Sequence, residues 1–90
     1  MSEGTEPMKS ALVSEPDVVW MQHQDYDIVP LNTLHAPISE LGEAIRRGIP
    51  AVPDPNRPDF YEMNLIHGWA YIHMHDAART VYVVAYFPEL

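Results

Sequence analysis

From Asp59 to Phe87 the chain alternates apolar and polar side chains in three short runs separated by turn signals, and this pattern constrains its fold more than any other feature. Alternate residues of a strand point to opposite faces, so each run sorts its side chains into two sets. Phe60 to Ile66 sets Tyr61, Met63 and Leu65 against Phe60, Glu62, Asn64 and Ile66. Trp69 to His75 sets Ala70, Ile72 and Met74 against Trp69, Tyr71, His73 and His75. Thr80 to Phe87 sets Val81, Val83, Ala85 and Phe87 against Thr80, Tyr82, Val84 and Tyr86. His67-Gly68 reads as a tight turn in which glycine takes a positive φ, and Asp76 to Arg79 reads as a second turn. The predicted meander has one small aliphatic face and one aromatic, histidine-bearing face.

A helix precedes it. Ile38, Leu41 and Ile45 recur at helical spacing with Ala44 beside them, and Pro37 suits the first turn with His35 or Ala36 at the cap. Glu40 and Glu43 lie toward the N-terminal end and Arg46 and Arg47 toward the other, as the helix dipole favours. Gly48 supplies the stop and Pro50 prevents continuation. Pro50, Pro53, Pro55 and Pro58 make residues 49–58 a stiff extended connector rather than a central strand. Val18 to Met21 is β-branched and aromatic and is expected as a first strand, whereas Ile28-Val29-Pro30 reads as an irregular strand or a long loop.

These elements predict one α+β domain over residues 16–90, preceded by a flexible tail over residues 1–15. The sheet is expected to be a small antiparallel meander of three to four strands with one helix packed on one face. No apolar run approaches the roughly 18 residues a spanning helix needs, and the first residues have no basic-then-apolar leader pattern. The chain has no cysteine, so disulfides and thiolate sites are excluded and a cytoplasmic location is expected.

Thirteen Asp and Glu against five Lys and Arg give a net charge of −8 with histidine neutral. Such a chain repels a phosphate backbone, so nucleic acid is not an expected partner. A basic partner, a metal ion or a neutral small molecule suits this field better.

Two constellations carry potential chemistry. Trp69, Tyr71, Tyr82 and Tyr86 form the expected binding surface, either for a protein partner or for a homodimer contact. A segment running back through Trp20 and Met21 could instead cover it. His73 and His75 project to the same side of a strand, where two imidazoles can share one divalent transition metal, and Asp76 follows as a possible third ligand. Without a metal the same histidines can stack on Tyr82 and Tyr86. Asp25 with Asp27 and Asp54 with Asp59 are the nearest approaches to carboxylate pairs, and their spacing does not bring them together. There is no phosphate loop, nucleophile elbow or zinc helix, so no catalytic residue is identified. The expectation is a non-enzymatic interaction or self-associating module, with a metal-binding or small hydrolytic domain built on His73 and His75 as the alternative.

Asp59-Phe60-Tyr61-Glu62-Met63, Trp69-Ala70-Tyr71-Ile72-His73 and Arg79-Thr80-Val81-Tyr82-Val83-Val84-Ala85, preceded by the helix and proline connector, resemble the C-terminal half of the RelE/ParE-like toxin superfamily. The resemblance implies a helix followed by three meandering strands. It implies no ribonuclease activity: Asn64, Ala70 and His73 stand where that family's basic residues would, and only Arg57 and Arg79 add positive charge nearby.

Overall fold

The computed structural model describes residues 17–33 and 35–89; the expected tail over residues 1–15 lies outside the described residues. In chain order the elements are β1 (Val19–Met21), β2 (Asp27–Pro30), α1 (Ile38–Arg47), β3 (Ile49–Pro53), β4 (Phe60–Leu65), β5 (Gly68–His75) and β6 (Thr80–Pro88), with a 3₁₀ turn at Asp76–Ala78. The α+β class, the one α-helix among the described residues and the β4–β5–β6 meander agree with the sequence reading. The sheet does not: it has six strands in the order β1-β3-β4-β5-β6-β2, and it is mixed rather than antiparallel.

Two segments make the difference. β2 pairs in parallel with β6, placing Ile28 opposite Val81 and Pro30 opposite Val83. Pro30 is tolerated there because β2 is an edge strand, where a missing donor has nothing to pair with on its outer side. Residues 49–53, expected as a connector, form β3 between β1 and β4. Ile49, Pro50 and Ala51 pair only with β1, and Val52 and Pro53 pair only with β4. Each half of β3 is thus laddered on one side, which leaves an unpaired side for each proline.

One face of the sheet carries α1. Leu41, Ala44 and Ile45 are buried, and Leu41 and Ile45 join Met63, Ala70, Ile72, Met74, Val81 and Val83 in the core. Each fully buried aliphatic side chain of this kind contributes about 1.5–3 kcal/mol. Met21 belongs to this core and Trp20 lies opposite Pro50, so the segment through them packs on the helix side and does not cross the aromatic face.

The C-terminal carbonyls of α1 have partners that sequence spacing does not show. The Gln22 side-chain amide donates to the Arg46 and Arg47 carbonyls, both at 3.2 Å, and Gln24 donates to Arg46 at 3.0 Å. The His23 backbone N–H donates to the Ile45 carbonyl at 3.0 Å. The link between β1 and β2 therefore satisfies groups that every helix end leaves orphaned.

Two details of β5 and β6 revise the expected faces. Tyr71 pairs with Ala85 but Ile72 pairs with Val83, so Val84 is an extra residue in β6. This bulge reverses the alternation beyond it. Tyr86 lies opposite Ala70 and packs against the core, while Phe87 lies opposite Trp69. The assignment of Tyr86 to the aromatic face is corrected accordingly, and Phe87 takes that place. Gly68 is also not a positive-φ turn residue. It opens β5, and a Cβ there would run into the Phe87 carbonyl, the Tyr86 hydroxyl and the Pro88 backbone. Close approach of β6, not turn conformation, requires glycine at this position.

Candidate functional site: the open aromatic face

The face away from α1 is built by β4, β5 and β6. Period-two alternation brings Phe60, Glu62 and Asn64 from β4, Trp69, Tyr71, His73 and His75 from β5, and Tyr82 and Phe87 from β6 to the same side. Among the described residues no helix or strand lies across it, since α1 occupies the opposite face.

The rings form two groups. Phe60 lies flat on His73, with centroids 4.4 Å apart and planes 6° from parallel. His73 continues toward His75 at 6.4 Å and Tyr82 at 6.1 Å, and His75 is 6.4 Å from Tyr82. The Arg57 guanidinium sits over the outer side of Phe60, 5.5 Å from its centroid. The second group is Trp69 stacked on Phe87 at 4.3 Å. Trp69 is 36% exposed and Phe87 47% exposed, high values for two large apolar side chains in mutual contact. Beside them a cleft of about 380 Å³ is lined by Asn64, Leu65, Gly68 and Glu89 among others.

Tyr71 stacks on Phe60 at 5.5 Å and is anchored at its tip. Its hydroxyl donates to Asp54 at 2.5 Å, and the other Asp54 oxygen accepts the Asn56 backbone N–H at 2.9 Å. The phenol and amide hydrogens hold the Asp54 carboxyl below the usual carboxylate range, and the nearby carboxylate raises the Tyr71 phenol above its ordinary value. Asp54 is thereby occupied in fixing the proline turn between β3 and β4.

The histidine cluster is smaller than a three-ligand reading requires. His73 and His75 share the open face with planes 4° from parallel. Asp76 accepts the Tyr26 hydroxyl at 2.7 Å, and that bond raises the Tyr26 phenol. Among the described residues, no three His, Asp or Glu side chains gather as a ligand set. Trp69, Tyr71 and Tyr82 stand where alternation puts them. Phe60 and Phe87 complete the surface; Phe60 was visible as the aromatic member of its strand's polar side, whereas Phe87 was hidden by the bulge. Among the described residues, no helix is long and apolar enough to cross a membrane.

No protein-family model matches the chain, and no curated protein or solved structure matches it either.

Proposed function

We propose that this chain is a non-enzymatic protein-interaction module whose working surface is the open aromatic face. The observation that carries this reading is the Trp69–Phe87 stack, solvent-exposed at the centroid distance of packed aromatic pairs and on the same face as the Phe60–His73–Tyr82 group. Aromatic side chains held rigid by their neighbours are the usual anchors of protein interfaces, because little rotamer freedom remains to be lost on contact. Among the described residues no nucleophile, base and orienting group are brought together, which favours contact over catalysis. The likeness to the RelE/ParE-like toxins rests on the succession α1, proline turn and β4–β5–β6; it supports a related architecture and no nuclease chemistry.

The test is sedimentation velocity of the full chain over a wide concentration range, with circular dichroism as the folding control. Association that rises with concentration and is lost in Trp69→Ala or Tyr82→Ala, with melting intact, is the expected result. A wild type that stays monomeric throughout and retains no partner sensitive to Trp69→Ala overturns the proposal.

A further inference from the structure

The open face carries two imidazoles on a strongly acidic molecule. Of the side chains that β4, β5 and β6 place there, Glu62 is the one carboxylate and His73 and His75 are the two imidazoles. Two copies of a chain with net charge −8 repel one another, so a self-contact needs a source of attraction that offsets this.

Area argues that stacking alone is not enough. The patch is three strands wide and as long as β5, roughly 14 by 27 Å at about 4.8 Å between strands and 3.4 Å per residue. That is on the order of 400 Å², about half of what each partner buries in a standard interface. A contact of this size needs a further source of affinity.

The histidines provide one. His73 and His75 lie two apart on one strand with centroids 6.4 Å apart and near-parallel planes, and Phe60 holds the His73 ring in place from its other side. A single chain stops at two ligands: among the described residues no third His, Asp or Glu gathers with His73 and His75. A two-fold axis between two open faces brings the second pair opposite the first, giving four imidazole nitrogens, a donor set that suits tetrahedral Zn²⁺. We infer that His73 and His75 from two copies of this chain together bind one imidazole-preferring divalent cation of the zinc class and so close a homodimer. This rests on the reading of the open face as an interaction surface. A divalent cation at the seam also lowers the repulsion between the two acidic copies.

The experiment is sedimentation equilibrium of the full chain in EDTA, in Zn²⁺ and in Mg²⁺, with bound metal measured after gel filtration. The expected result is one zinc per two chains and a dimer dissociation constant lowered at least about tenfold by Zn²⁺ but not by Mg²⁺. His73→Ala/His75→Ala should lose the zinc and the shift together; should that variant fail to fold, His75→Ala, which changes an exposed residue, makes the same test. Trp69→Ala should weaken association in EDTA as well. Association indifferent to Zn²⁺ overturns the shared metal site and leaves the interaction reading standing. One zinc per monomer without association overturns the two-copy site. Absence of both binding and association overturns the inference and the reading beneath it.

Discussion

The Tyr71 hydroxyl donates to the Asp54 carboxylate at 2.5 Å, tying the middle of β5 to the proline turn that follows β3. The bond holds the Asp54 pKa down and the Tyr71 pKa up. For Asp54, the depressed folded value means its stabilisation is complete above the ordinary carboxylate pKa, near 4, and is lost as pH falls through the folded value. For Tyr71, the raised folded value means its stabilisation is complete below the ordinary phenol pKa, near 10, and is lost as pH rises through the folded value. Thermal melts across pH should therefore show a plateau between these limits with a fall on either side. Tyr71→Phe and Asp54→Asn should lower that plateau and soften both falls; unchanged profiles in both variants would show that the bond contributes nothing.

The helix is held by a few fully buried side chains. Leu41 is 1% exposed and Ile72 is not exposed at all. Leu41→Ala and Ile72→Ala should each cost about 2–5 kcal/mol in urea denaturation, a large part of the 5–15 kcal/mol a domain holds. A loss below 1 kcal/mol for Ile72→Ala would mean that the sheet does not pack as described.

Two glycines should resist alanine for different reasons. Gly68→Ala forces a methyl against β6 backbone, so it should cost roughly 1–3 kcal/mol and speed amide exchange at Trp69 and Phe87. Gly48 has φ of 102°, and a Cβ there meets the Trp20 indole. Gly48→Ala should be destabilising, and adding Trp20→Ala should relieve the ring contact while leaving the backbone cost. Full rescue by Trp20→Ala would show that φ at Gly48 is not restrictive.

Arg79 has φ of 49°, in the left-handed region, where it ends the 3₁₀ turn. Arg79→Asn should be close to neutral, whereas β-branched Arg79→Val should cost about 1–2 kcal/mol in the same denaturation assay. Equal stability of the two variants would contradict the assigned turn.

The bulge at Val84 separates the roles of adjacent aromatics. Tyr86→Ala should lower stability and leave self-association or partner contact intact. Phe87→Ala should leave the melting temperature nearly unchanged and weaken association as Trp69→Ala does. The reverse pattern would mean that β6 keeps strict alternation.

The parts of the fold that follow from local patterning were legible. α1 is amphipathic and punctuated at both ends by Pro37 and Gly48, and β4 and β5 alternate cleanly. What escaped depends on contacts far apart in the chain. Prolines argue against a strand that is laddered on both sides, and β3 escapes that argument by dividing its partners along its length. Val83, Val84 and Ala85 are all small and apolar, so skipping one leaves no trace in the pattern, and the exchange of Tyr86 for Phe87 could not be read. Gln22 and Gln24 look like ordinary loop residues because their role is set by a helix end more than twenty positions away. The open face was legible in Trp69, Tyr71, Tyr82 and the two histidines, since those lie before the bulge or on the strand it leaves unshifted.

The parallel pairing of β2 with β6 also bears on synthesis. A ribosome extrudes β2 well before β6, so Ile28 waits for Val81 while every intervening element emerges. Until then the underside of α1 lacks the cover that Val81 and Val83 give it, and Leu41 and Ile45 stay open to other apolar surfaces.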